Sequence, residues 1–190
     1  MASLVLTGDT SGSLTVSAPA IAGSNTQTLV ATTGTLAPIV SGTAVASTSG
    51  TSIDFTGIPS WVKRVTVMFN GISTSGTSPI LIQIGAGSVT NTGYIGGAQQ
   101  IASTPSYTAF SSGFLVNQAN SAANTYSGQM VICLNSSNSW TAMGINGRND
   151  GEINLSGGYV PLSGTLDRVR ITTVNGTDTF DAGSINILYE

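Results

Sequence analysis

Residues 129–145 read QMVICLNSSNSWTAMGI, and the period of this stretch decides the fold. Met130, Ile132 and Leu134 occupy alternate positions, an Asn/Ser cluster follows at Asn135–Asn138, and Trp140 begins a second run. Apolar residues at every second position belong to a strand with one buried face; a helix would need spacings of three and four. A short Asn/Ser cluster between two such runs marks a hairpin turn.

The same period extends outward in both directions. VKRVTVMFNGIS (62–73) sets Val65, Val67 and Phe69 on one face and Arg64, Thr66 and Met68 on the other. PILIQIG (79–85) aligns Ile80, Ile82 and Ile84. LDRVRITTVNGTDTFDAGSINILYE (166–190) places Val169 and Ile171 inward and Arg168 and Arg170 outward, and ends on Ile185, Ile187 and Tyr189. Turns are expected at Asn70-Gly71, Asn135–Asn138, Asn149–Gly151 and Asn175-Gly176. VKRVTVMFNGIS and DRVRITTVNGT share a basic pair, an alternating strand and Asn-Gly, which reads as similar packing and not as a repeat. Many short alternating strands with no helical stretch predict an all-β chain whose residues 51–190 form an antiparallel β-sandwich, jelly-roll-like.

Residues 1–50 differ in kind. They hold one charged residue, Asp9, and all twelve aromatics lie from Phe55 onward. Leu4 and Leu6 share a face, as do Leu14 and Val16, with TGDTSG between them as a turn. ATTGTLAPIVSGTAVASTSGT (31–51) reads as a linker or an extended crossing segment. So small a supply of apolar area, at ~25 cal/mol per Å², does not match an ordering cost of about 1–2 kcal/mol per residue. The segment is therefore expected to be an extended β arm that another chain covers through strand addition. Leu4, Leu6, Leu14, Val16 and Leu29 are its expected assembly-interface residues.

Composition narrows the function. The chain is 40% hydrophobic, enough for a core, yet 7% charged against roughly 25% in a typical soluble domain. A surface of Ser, Thr, Asn, Gln and Gly suits a protein engaged with copies of itself or with neighbours. Five basic residues and a net charge of −3 supply no basic stripe, so no nucleic-acid partner is expected. The apolar runs are too short to span a membrane, and the N-terminus lacks the basic region of a signal peptide. One cysteine, Cys133, makes no internal disulfide and is expected in a strand as a small apolar residue.

The residue types present point to no catalytic centre. Histidine is absent, which removes Ser-His and Cys-His nucleophile pairs and the commonest metal ligand. Asp54, Asp150, Glu152, Asp167, Asp178 and Asp181 are the carboxylates from which a hydrolytic pair would come, but most fall in turns, where Asp bonds the backbone. NGTDTFDAG (175–183) has oxygen ligands at alternate positions but no closing Glu of a calcium loop, and reads as a hairpin loop. GAGSVTNTGYIGG (85–97) has no following Lys and opens no helix, so it is not a phosphate loop. No cofactor and no metal are expected. Trp140, Tyr94, Tyr107, Tyr126, Tyr159 and Arg148 suit either a sugar-binding surface or, for the rings, a place in the core. Trp140, Arg148 and Tyr159 are the candidate glycan-binding residues, and Arg148 is the one least suited to a core. Trp61 is expected to cap an end of the sandwich. Lys63–Arg64 and Arg168/Arg170 are expected to neutralise nearby carboxylates such as Asp167, or to blunt a strand surface.

LTGDTSGSLTVSAPAIAGSNTQTLVATTGTL (6–36) resembles the N-terminal segments of tailed-bacteriophage fibre and other virion proteins. IDFTGIPSWVKRVTVMFNGIS (53–73) and the closing LDRVRITTVNGTDTFDAGSINILYE (166–190) resemble the body and terminal hairpin of small phage structural proteins. Residues from about 88 to 164 carry no such resemblance. It implies a β-rich homotrimer on the virion exterior, mounted by its N-terminal part on a capsid or tail protein, with the C-terminal domain exposed. The expected function is that of a short fibre or a decoration or head-fibre protein without enzymatic activity. The alternatives are a host-glycan-binding adhesin domain and, third, a polysaccharide depolymerase.

Overall fold

The computed structural model describes residues 3–7, 11–17 and 37–190. Leu29 lies outside them. The chain divides into two compact units, Met1–Leu36 and Ala37–Glu190.

In the first unit, β1 (Ser3–Thr7) and β2 (Ser13–Ser17) form an antiparallel hairpin. Its register sets Leu4 opposite Val16 and Leu6 opposite Leu14, so the period-two pattern gathers these four residues on one face. All four are exposed. A lone two-stranded hairpin is marginal in water.

The second unit begins with β3 (Val40–Ser41), β4 (Val45–Ala46) and β5 (Ser52–Thr56), followed by β6 (Arg64–Thr74), β7 (Ile80–Ala86) and β8 (Ser88–Val89). Then come β9 (Ile95–Ile101), β10 (Ser106–Phe110), β11 (Phe114–Leu115) and β12 (Tyr126–Ser136). The last four are β13 (Ser139–Arg148), β14 (Ile153–Pro161), β15 (Arg168–Thr173) and β16 (Phe180–Tyr189). A wide sheet runs β10-β9-β14-β13-β12-β6-β16-β3, with β4 also on β16; a narrow sheet runs β11-β7-β15-β5, with β8 on β7. Every pairing is antiparallel.

The chain alternates between the sheets, with β5, β7 and β8, β11 and β15 in the narrow one and β6, β9, β10, β12, β13, β14 and β16 in the wide one. This is the circuit of a jelly roll. One strand of the wide sheet has become the three-stranded meander β12-β13-β14, and β16 is added outside β6. The two inner faces share one hydrophobic cluster: Val65, Val67, Met130 and Ile132 from the wide sheet, Ile82, Ile84 and Ile171 from the narrow one. Each such side chain contributes about 1.5–3 kcal/mol by leaving water. At one end Tyr94 and Phe110 both pack edge-on against Phe114, with ring centroids at 4.9 and 6.0 Å. The Tyr94 hydroxyl accepts the Ile84 N–H at 2.8 Å and donates to the Thr90 carbonyl at 3.0 Å, and burial pushes its pKa up.

The hairpin of residues 129–145 forms as its sequence directs. Ser136 pairs with Ser139, and Ser137 takes the left-handed conformation, φ 50°, that a two-residue hairpin turn requires. One local expectation differs. Asn70-Gly71 is not a turn: β6 runs straight through it, and the register against both β12 and β16 shifts there. It is a bulge, with Gly71 at φ 61° and its N–H donated to Ser127 Oγ at 2.9 Å. Residues 40–46, within the stretch expected to be a linker or an extended crossing segment, add the short strands β3 and β4 to β16. Ser47 is fully buried; its N–H reaches the Gly183 carbonyl and its Oγ the Ala182 carbonyl. The composition of this segment suggests a linker because the pairing is carried by backbone groups, which leave no mark on side-chain pattern.

Candidate functional site

The outward face of the wide sheet is the surface that stands apart. The strands β9, β10, β12, β13 and β14 contain a single charged residue between them, Arg148 at the end of β13. Register assigns their outward residues to rows across the sheet. One row is Cys133, Thr141, Tyr159, Ile95; the next is Val131, Met143, Gly157, Gly97, Ala109. A third is Gln129, Ile145, Leu155, Gln99, Tyr107, and beyond it Ile153 pairs with Ile101. Tyr107 is 82% exposed and Met143 73%; Ile95, Ile101, Ile145, Ile153, Leu155 and Tyr159 are exposed as well.

The two glycines of the second row leave a trough of about 500 Å³, floored by Gly97 and Gly157 and walled by Met143, Leu155, Gln99 and Tyr107. A Cβ at Gly157 would meet only the Ala142 carbonyl, at 3.6 Å. The hollow is therefore not forced by backbone crowding at that position.

Polarity is inverted across β13 and β14. Asn146, Asn154 and Ser156 are buried, while Ile145, Ile153 and Leu155 face solvent. The inner residues have specific work: Asn146 Nδ2 donates to the Val116 carbonyl at 3.2 Å, and Asn154 Oδ1 accepts the Gln118 N–H at 3.0 Å. These bonds satisfy backbone groups of the segment after β11, which buried backbone requires. They also lock the register, because a slip of one residue would exchange the faces.

The three glycan-binding candidates are not brought together. Trp140 is 2% exposed, in the core, as the competing reading has it. Tyr159 points outward, opposite Thr141, near the same end of the sheet. Arg148 closes the far end of β13, about 26 Å from Trp140 at 3.3 Å per residue. Its Nε and Nη2 bond Asp150 at 2.8 and 2.5 Å, Nη2 also pairs with Glu152, and Glu152 accepts from Gln100. The Arg148 hydrogen bond lowers the Asp150 pKa to about 2, and the same bond raises that of Arg148.

Other carboxylates are similarly engaged. Arg170 bonds Asp54 with two nitrogens at 2.7 and 3.1 Å, and Arg168 bonds Asp167 likewise. Asp178 accepts the Ser78 N–H and Asn175 Nδ2, closing the 175–183 loop. Arg64 pairs with Glu190. The Trp61 ring packs against Tyr189 with centroids 6.0 Å apart. Cys133 is half-buried on the outward face. Among the described residues no cluster of His, Cys, Asp or Glu has the makings of a metal site.

The sequence matches no family model, and no curated protein or solved structure matches the chain. The outward face itself was missed by pattern reading, which sends Ile and Leu inward. Its one sequence signal is the complete absence of charged residues over 95–147.

Proposed function

We propose that this chain is a non-enzymatic structural protein of a tailed-bacteriophage virion, a short fibre or a head-fibre or decoration protein on the particle exterior. In this reading it is a homotrimer whose N-terminal hairpin docks onto a capsid or tail protein and whose jelly-roll domain is the exposed part. The observation that carries the reading is the broad, nearly uncharged and apolar outward face of the wide sheet. A freely diffusing monomer rarely keeps such a face; a subunit of an assembly covers it. The face formed by Leu4, Leu6, Leu14 and Val16 on the hairpin adds to this. Carboxylates held in arginine pairs and loop hydrogen bonds favour a structural over a hydrolytic role. Replacing Leu14 with Asp should reduce incorporation into particles while leaving the melting of the jelly-roll domain unchanged; normal incorporation would count against docking through the hairpin.

A second reading, a glycan-binding adhesin, draws on Tyr107, whose ring stands exposed beside the trough with Gln99 as a polar neighbour. Arg148 and Trp140 are engaged elsewhere, so sugar contact would rest on Tyr107 and Tyr159. A glycan array probed with the full chain separates the readings: binding abolished by Tyr107→Ala favours the adhesin.

A further inference from the structure

We infer that the outward face of the wide sheet, over β9, β10, β13 and β14, is an intersubunit surface that seats a second copy of this chain. This rests on the assembly reading only for the existence of subunit contacts. A particle protein whose subunits met elsewhere would keep its place on the particle and fail here.

The first argument is area. With ~200 Å² for a fully exposed large side chain, the eight exposed apolar residues of this face offer on the order of 850 Å². That equals about the ~800 Å² that one partner brings to a standard protein interface and exceeds the ~300–600 Å² of the largest apolar patch on a typical monomer.

The second argument is chemistry. Interface centres are depleted of charge and enriched in Tyr and Met, and this face presents Tyr107, Tyr159 and Met143 with no charged residue among them. A charged partner would have to bury its charges here without counter-ions, which is costly. An uncharged, apolar partner is needed, and the same face of another copy is one. Relief favours this too: Met143, Leu155 and Tyr107 stand as ridges beside the hollow over Gly97 and Gly157, so around the threefold axis of a trimer each copy's ridges enter the next copy's recess and the contacts close as a ring. A sugar would ask for more hydrogen-bonding groups than the trough offers, since Ser156 is buried and Gln99 stands nearly alone.

The third argument is that the inverted polarity is actively held. Asn146 and Asn154 pin the segment after β11 from inside, so β13 and β14 cannot slip by one residue to hide Ile145, Ile153 and Leu155. The fold keeps them outward.

The test is analytical ultracentrifugation of the full-length protein across the micromolar range. The pair M143E/L155E is compared with wild type, and Y107E is a second variant on an edge strand at a side chain that the fold scarcely uses. Wild type should self-associate, and each variant should dissociate at least about tenfold more readily, because like charges then face each other in the contact. Its monomer should melt as wild type does. If the double variant misfolds, Y107E alone decides. A wild-type protein that stays monomeric would overturn the inference. So would an oligomer indifferent to the variants, or a monomer whose Tyr107 face binds host oligosaccharide instead.

Discussion

Asn146 and Asn154 stand opposite each other on the buried side of β13 and β14, while Ile145 and Leu155, one position away on each strand, stand opposite each other in solvent. The usual rule for a half-buried sheet is reversed at this point. The asparagines hold backbone groups of a buried crossing segment, and the aliphatic residues are left on the outer, solvent-facing side.

Stability should therefore follow the structure and not the hydrophobicity of the residue. Asn154→Ala leaves the Gln118 N–H without its partner and should cost about 1–3 kcal/mol. That is a fall in melting temperature of about 2–12 °C for a chain of this size. Leu155→Ser should stay within about 0.5 kcal/mol of wild type under conditions that keep the protein monomeric. Thermal unfolding of the two variants side by side checks this; a larger loss at Leu155 would contradict the placement of the strand faces.

The bulge where β6, β12 and β16 meet gives a second prediction. Gly183 has φ 87°, and a Cβ there would press on the Asn70 and Gly71 carbonyls. Left-handed backbone alone costs a non-glycine residue about 1–2 kcal/mol, so Gly183→Ala should lower stability by at least that much in a denaturant titration. Gly57, also at positive φ but with open space around it, should lose only the backbone share when changed to Ala.

Truncation should separate residues 37–50 from the first unit. A chain of residues 37–190 should melt with the same midpoint as the full-length domain. A chain of residues 51–190 loses β3, β4, the Ser47 bonds and the Phe180 N–H bond to the Gly50 carbonyl. At about 0.5–1.5 kcal/mol per hydrogen bond, offset by regained chain freedom, it should be less stable by about 2–4 kcal/mol. Calorimetry of both chains measures the difference; equal midpoints would mean that the segment is not part of the sandwich.

Asp150 supplies the pH dependence. Its folded pKa of about 2 lies below its ordinary 3.8 because Arg148 hydrogen-bonds the carboxylate. Its contribution to stability is thus fully present above the ordinary value and fades as pH falls through the folded one. A carboxyl-resolved NMR titration should find Asp150 near 2 in wild type and close to its ordinary value in Arg148→Gln. A wild-type value near 4 would contradict the pair.

Much of this architecture is legible in the sequence, for physical reasons that can be located. Val65/Val67/Phe69, Ile80/Ile82/Ile84 and Val169/Ile171 announce their strands because one face of each meets the core and side-chain period is fixed at two. The arginines following Asp167 and facing Asp54 pair as charge proximity suggests. Asn70-Gly71 misleads because a glycine at positive φ serves a bulge as well as a turn. The outward face escapes because binary pattern assigns apolar residues to the core side of a sheet, and Ile145, Ile153 and Leu155 stand on the other side. Trp140, Arg148 and Tyr159 look like a cluster in sequence, but strand length and alternation carry them to different ends and faces.

The claim that this chain is an exterior virion component is tested most directly on particles themselves. Phage particles purified from a culture that produces the protein should be labelled with antibody raised against residues 37–190 and imaged by electron microscopy, with peptide mass spectrometry of the same preparation. The proposal predicts label at one fixed exterior position and a copy number that is a multiple of three. Particles that are complete and infectious without the protein bound to them, while it stays soluble in the lysate, would contradict it.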